Sequence, residues 1–242
     1  MAKWETHISG EVDNELVIRG HKLNDLIGNA SFTKAIFLIL KGEMPTETEE
    51  KIFNAIIVSA IDHGLGAAST TVARTVQSCG NSLNASVAAG VITQGDHHGG
   101  AIDKCMELLK SSINNTASEI IKDALLNKKT LYGFGHKVYK EFDPRTKRIV
   151  EILKELESVG RHTKLALEME EEIYKQKGKR IVLNIDGIIA SVALDLGFDP
   201  KLGKGLFIIP RVAGLVAHCV EEQGEKQKVR RLDKDEYTYV GN

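Results

Sequence analysis

An all-α fold is what this 242-residue sequence predicts, and two observations carry that prediction. Proline and aromatic residues are scarce, with 4 prolines and 5% aromatics, and segment after segment repeats its apolar residues at helical period. Hydrophobic residues at 42% suit a chain that buries a core. The near balance of 32 Lys+Arg against 33 Asp+Glu argues against both disorder and a supercharged nucleic-acid binder.

Taken in order, residues 5–18 alternate weakly. Gly10 and Asp13-Asn14 stand as turn residues between Thr6-His7-Ile8 and Glu15-Leu16-Val17-Ile18, which predicts a short N-terminal β-hairpin packed on helices. The longest apolar run, 35–40, ends at Lys41, well short of the roughly 18–20 residues that cross a bilayer. Residues 51–61 put Ile52, Phe53, Ile56, Ile57, Ala60 and Ile61 on one stripe, and 147–157 do the same with Ile149, Val150, Leu153 and Leu156. Helices are also predicted over 101–113, 116–126, 164–176 and 204–221, with Pro210 expected to start or kink the last. Periodicity leaves 180–185 open between a buried strand and a helix start; we read it as helix or extended lead-in.

No Gly-, Ser- or Pro-rich linker, internal repeat or low-complexity tract divides the chain. The opening Met-Ala-Lys-Trp-Glu-Thr lacks the basic-then-apolar pattern of a signal peptide, so a cytoplasmic address is expected. Cys79, Cys105 and Cys219 are odd in number, far apart and set in apolar helical patterns, which predicts buried, reduced thiols. No His-Glu-x-x-His or Cys-x-x-Cys spacing occurs, and no metal is expected.

One segment stands apart: Leu131-Tyr-Gly-Phe-Gly-His-Lys-Val-Tyr-Lys-Glu-Phe-Asp-Pro-Arg145, a Gly-rich turn that presents His136 and ends in an arginine after a proline. Glycines there let backbone amides approach a ligand closely. This block resembles the signature of the citrate synthase superfamily. The similarity continues through Ile18-Arg-Gly-His, Gly42-Glu with Pro45-Thr, Asp62-His63-Gly64, Asp96-His-His-Gly-Gly-Ala101, Asn184-Ile-Asp-Gly187 and Pro210-Arg-Val-Ala-Gly-Leu-Val-Ala-His218, in the family order and over nearly the whole chain. Only about fifteen residues separate Thr46 from Asp62, where ordinary citrate synthases carry further helices. That compact spacing looks more like the citryl-CoA lyase module of ATP-citrate lyase and its stand-alone relatives.

The resemblance implies a citrate-synthase-like architecture of two helical lobes with a cleft active site that closes on binding. The large lobe would comprise 1–98 and 189–242, the small one 99–188. It implies cleavage of citryl-CoA to acetyl-CoA and oxaloacetate, the alternative being a compact citrate or methylcitrate synthase that condenses the same partners. A rival of another class is a non-catalytic subunit that binds CoA or a dicarboxylate. Coenzyme A would enter as part of the substrate, with no permanently bound cofactor.

By the same resemblance Asp186 exchanges the methyl proton. His136 polarises the oxaloacetate carbonyl and relieves the hydroxyl of its proton in cleavage. His98 hydrogen-bonds the thioester oxygen as the enolate forms, adjacent His97 remaining an alternative. Taken alone, Asp186 also reads as a helix cap ahead of Gly187. Arg145, Arg211 and His63 would bind substrate carboxylates, since planar guanidinium forks pair with carboxylate oxygens. Another arginine, Arg230 or Arg231 and by preference Arg231, would come from the other subunit, which implies a homodimer or a higher oligomer. The turn Tyr132-Gly133-Phe134-Gly135 would hold the adenine of CoA, with Lys137 and Lys140 near its phosphates. A separate citryl-CoA synthetase is an expected partner. The tail cations Lys226, Lys228, Arg230 and Arg231 are interleaved with acids and lack aromatic platforms, so neither nucleic acid nor membrane is an expected partner.

Overall fold

The structure is a computed structural model that describes residues 3–225 and 229–241. In chain order its elements are β1 (Ser9–Val12), β2 (Glu15–Ile18), β3 (His21–Lys22), α1 (Leu23–Leu26), α2 (Phe32–Lys41), α3 (Glu47–Ser59), α4 (Ala68–Ser78), α5 (Leu83–Ile92), α6 (Ala101–Ser111), α7 (Ala117–Leu126), α8 (Pro144–Glu155), α9 (Arg161–Lys177), α10 (Ile185–Asp195) and α11 (Gly203–Gln223), the last preceded by a 3-10 turn at Pro200–Leu202. The fold is helical with one small sheet, as the sequence predicts.

The chain divides into two compact units, Met1–Ser59 with Ile102–Gly203 and Ala60–Ala101 with Lys204–Asn242. These units do not coincide with the lobes expected from the resemblance, since residues 1–59 group with 102–203. In that unit β1 and β2 pair antiparallel with Ser9 opposite Ile18 and Val12 opposite Glu15. The hairpin turn has φ of 50° and 61° at Asp13 and Asn14, the left-handed pair a tight two-residue turn requires. A third strand, β3, which the alternation did not reveal, extends the sheet through Val17 and Lys22.

Helix α2 starts because the Ser31 side chain accepts the Lys34 amide, and it stops at Gly42, whose φ of 91° needs glycine. Its buried Phe37 meets Phe53 of α3 edge-on at 5.3 Å and Phe198 at 5.1 Å. The centre of the unit is α10, which packs on α9, α3 and α8. From Ile185 to Leu194 only Asp186 is not fully buried, so an all-round apolar helix sits where the sequence demands. Truncating Ile188 or Ile189, at 0% and 1% exposure, to alanine would cost about 2–5 kcal/mol. At its far end Asp195 accepts the amides of His162 (2.9 Å) and Thr163 (3.0 Å), capping α9 in place of Gly160, which has no side chain to offer. Residues 180–184 are an extended lead-in with one antiparallel bridge, Phe134 to Leu183.

In the second unit α4 and α5 pack closely. Ala73, Leu215 and Cys219 form a core with Leu83, Val87 and Val91 around it. Pro210 lies inside α11, so of the two expected places, helix start or helix interior, it takes the interior one. Helix and 3-10 turn together, Pro200–Gln223, are long and apolar enough to cross a membrane by composition, with mean hydropathy 1.3. Yet Leu206, Phe207, Leu215, Cys219 and the charged Arg211 and Glu222 are buried within the protein, which makes α11 a core helix. Cys105 and Cys219 are buried thiols as expected; Cys79 is exposed, because it caps the C-terminus of α4 beyond that helix's buried face.

Candidate functional site

The chemistry-bearing residues form two groups, one in each unit. In the first unit the Gly-rich turn is stitched to the start of α10. The Gly135 amide donates to Val182 O at 2.7 Å, the Asn184 amide to Gly133 O at 3.0 Å, and the Asn184 side-chain NH2 to Gly135 O at 2.8 Å. Asn184 also caps α10, its Oδ1 accepting the amides of Asp186 (3.0 Å) and Gly187 (3.1 Å). The stitch is tight enough to exclude side chains: a Cβ on Gly133, at φ 85°, would lie 2.6 Å from Gly187 Cα and 2.7 Å from Cys105 Sγ. One asparagine thus ties the segment that bears His136 to the one that bears Asp186.

Asp186 is half-buried in the first turn of α10. Cys105 lies beneath it; burial and the Asp186 charge push that thiol up to about 12, leaving it protonated and inert.

His136 Nδ1 accepts the amides of Val138 and Tyr139, both at 3.1 Å. Backbone N–H groups can only donate, so the ring proton sits on Nε2 and the imidazole presents that nitrogen as a donor. Tyr139 stacks on the ring at 4.6 Å. Burial lowers the His136 pKa; the Asp143 charge opposes that shift and the Arg145 and Lys140 charges add to it, and the net result favours the neutral form. Lys140 donates to His136 O at 2.9 Å, Lys137 is exposed, and the Lys104 ammonium lies 4.9 Å from the centre of the Tyr132 ring.

Asp143, 1% exposed, caps α8 by accepting the Arg145 amide at 3.0 Å and holds the Arg145 guanidinium in a fork, Nε to Oδ1 at 3.0 Å and Nη2 to Oδ2 at 2.8 Å. Burial alone would raise the Asp143 pKa; the hydrogen bonds and charge of Arg145 win and hold it low. Asp143 was legible only as part of the motif, and its grip on Arg145 is a structural finding. A groove of about 670 Å³ runs between α3 and α8 and includes Arg145 among its lining residues.

In the second unit His98 is half-buried and adjacent His97 exposed. The Ser69 amide donates to His98 Nε2 at 3.4 Å, which puts the ring proton on Nδ1, and the Ser69 hydroxyl, which can donate or accept, lies 2.8 Å from the same Nε2. Burial lowers the His98 pKa, and the charges of Arg211 and His63 add to the effect. Phe207 packs edge-on to the His98 ring at 5.8 Å; Gly99 makes room, since a Cβ there would stand 2.5 Å from the Phe207 ring. Arg211, 3% exposed, lies over the same ring at 4.6 Å and donates from Nε to Ala60 O at 3.0 Å. Exposed His63 follows Asp62, which accepts the Gly64 amide at 2.8 Å and faces His218 Nε2 at 3.3 Å. Arg230 is committed to Glu222 at 2.7 Å, and Arg231 is exposed; Lys226 and Lys228 lie outside the described residues. Sequence reasoning missed Ser69, Phe207 and the Arg74–Glu222 pair, because isolated polar residues on a helix carry no motif. Among the described residues no group of three or more His, Cys, Asp or Glu side chains gathers as metal ligands.

Residues 45–232 match the family model for the citrate synthase C-terminal domain. The citrate synthase of Heyndrickxia coagulans is 35% identical over 214 residues, 86% of this chain and 56% of that protein; the chain spans about half the length of the curated relatives it matches. Among solved structures, citryl-CoA lyase from Hydrogenobacter thermophilus aligns with TM-score 0.95 and 49% identity over 99% of this chain and 95% of that one. Citrate synthase from Thermotoga maritima MSB8 aligns with TM-score 0.71 and 27% identity over 88% of this chain and 58% of that one. With its motifs, its fold and more than half of its length matched, this chain belongs to the citrate synthase family.

Proposed function

We propose that this protein is a citryl-CoA lyase, cleaving citryl-CoA to acetyl-CoA and oxaloacetate. The observation that carries the reading is the end-to-end likeness, 99% of this chain and 95% of the other, to the Hydrogenobacter thermophilus citryl-CoA lyase, set against the roughly half-length match to citrate synthases.

Cleavage removes the hydroxyl proton, breaks the carbon–carbon bond with its electron pair passing to the thioester, and returns a proton to the carbon that becomes the methyl. Asp186 serves the last step as its protonated acid. His98 offers Nδ1–H to the thioester oxygen on which enolate charge collects. His136 offers Nε2–H to the oxygen that becomes the oxaloacetate carbonyl. With Nδ1 held by two amides, the ring takes the hydroxyl proton on Nε2 only as its own Nε2 proton passes to water, so water is the net acceptor while Asp186 returns a proton to carbon. Arg145, Arg211 and His63 bind the carboxylates. The Tyr132–Gly135 turn with Lys137 and Lys140 serves CoA, which enters only as part of the substrate. Because Arg230 is spent on Glu222, Arg231 is the arginine offered to a second subunit. A homodimer or larger assembly, a cytoplasmic address and a separate citryl-CoA synthetase partner belong to the same proposal.

A paired assay tests the reading. Purified protein should release oxaloacetate from citryl-CoA, followed by coupled reduction, and should release little free thiol from acetyl-CoA plus oxaloacetate. Rapid thiol release in the second assay would instead mark a synthase, which adds thioester hydrolysis to the same carbon–carbon chemistry.

A further inference from the structure

We propose that Arg230 is a positioning residue: gripped by Glu222 and Ser78, it sets where the chain presents Arg231 to the substrate. The proposal rests on the reading of Arg231 as a substrate-binding residue.

Glu222, near the end of α11, has a side chain at 0% exposure and a guanidinium on each oxygen. Its Oε2 accepts Arg74 Nε–H at 2.5 Å and its Oε1 accepts Arg230 Nε–H at 2.7 Å. Arg74 is itself fixed, its side chain 5% exposed, with Nη1 on Glu221 at 3.1 Å. The Arg230 backbone amide donates to Ser78 Oγ at 3.0 Å, so residue 230 is held by main chain and side chain at once. From Arg231 to Gly241 every residue is exposed. Consecutive Cα atoms are about 3.8 Å apart, so the grip ends one peptide before the arginine that matters.

The investment is unlike a stability device. A buried ion cluster of this kind is often replaced by apolar packing at no cost, and its best-attested use is to fix register. Here the register to be fixed is that of an exposed segment whose own residues give it no buried anchor. Without the grip, Arg231 would sample many positions, and a misplacement of about 1 Å at a binding group can cost roughly a hundredfold in rate.

The test is a double-mutant cycle on the intact protein, measuring kcat and KM for citryl-CoA cleavage with thermal midpoints in parallel. Arg231→Ala, Arg230→Gln and the double variant are compared. Arg230→Gln alone should lower kcat/KM about 10- to 100-fold, and should lower it no further when Arg231 is already alanine. A double variant whose loss is the product of the two single losses overturns the positioning role and leaves Arg230 a structural residue. Arg230→Gln at wild-type kcat/KM overturns it as well. Arg231→Ala at wild-type activity brings down the underlying reading instead, and is told apart by that single result. Should Arg230→Gln not fold, Arg230→Lys takes its place. Lysine keeps a charge toward Glu222 without the Nε–H donor, and the same silence in the Arg231→Ala background is required.

Discussion

Replacing Asn184 separates two jobs that one side chain performs. Its Oδ1 caps α10 and its NH2 ties that cap to Gly135 O. Losing a good N-cap costs about 1 kcal/mol, and losing a half-buried neutral hydrogen bond about another 1 kcal/mol. Asn184→Ala should therefore destabilise the protein by about 2 kcal/mol, a fall of roughly 4–8 °C in Tm for a chain of this size. Serine caps as well as asparagine but is too short to reach Gly135, so Asn184→Ser should lose about 1 kcal/mol, roughly 2–4 °C. Activity should follow the tie and not the cap. Both variants should lose citryl-CoA cleavage to the same degree, because both remove the side-chain tie to Gly135 O and leave the His136 turn held to the start of α10 by backbone bonds alone. Thermal unfolding and cleavage kinetics on the three proteins decide the matter. Equal midpoints for the serine and alanine variants, or a serine variant with wild-type kcat/KM, would refute the reasoning.

Other consequences follow from the same geometry. Gly133→Ala forces a Cβ to 2.6 Å from Gly187 Cα at a positive φ, and should cost more than about 3 kcal/mol or prevent folding, read by circular dichroism and denaturant titration. Arg145→Lys leaves a point charge where Asp143 holds a fork, and should lower kcat/KM at least about tenfold, with Arg145→Ala lower still. The Asp143 pKa is lower folded than unfolded, so its stabilisation is complete above the ordinary aspartate value of 3.8 and is lost as pH falls through the depressed one. Asp143→Asn should flatten the acid limb of a stability-versus-pH curve. For His136 and His98, whose folded pKa values lie below 6.5, NMR titration should find midpoints under that value; a midpoint above it for either ring would contradict the neutral-donor assignment.

Helices with an apolar stripe, such as α3 and α8, were legible from spacing, because burying that stripe is what forms them. Helix α4 was not, because its buried face is Ser69, Thr70, Ala73, Arg74 and Gln77, a polar stripe that periodicity reads as solvent-facing. Strand β3 is two residues long, too short for alternation. Among the candidate residues His136, Asp186 and Arg145 could be found, since each sits in a dense motif. Their holders could not all be found. Asp143 and Asn184 lie in the motifs without declaring what they grip. Ser69, Phe207 and Glu222 reach their partners across 29, 109 and 148 positions of sequence, where no local pattern points.

The two histidines reach one electrostatic solution by opposite routes. His136 gives Nδ1 to two backbone amides and presents Nε2–H; His98 gives Nε2 to Ser69 and presents Nδ1–H. At His136 two amides occupy Nδ1, where a proton would clash; at His98 an amide and a hydroxyl meet Nε2; and at both rings burial opposes the imidazolium. Both rings are thus neutral donors at neutral pH. A cationic donor would stabilise an alkoxide or enolate more strongly but would give up its proton to it, trapping the charge where cleavage must move it on. A neutral imidazole stabilises the oxygen by hydrogen bonding and keeps its proton, so the electron pair stays available to the carbon skeleton. In the proposed reaction the residue that exchanges a proton with carbon is a carboxyl, Asp186, at the start of the helix to which Asn184 ties the His136 turn. In that reaction histidines hold oxygen and an aspartate serves carbon, and Asn184 ties the segment that bears His136 to the one that bears Asp186.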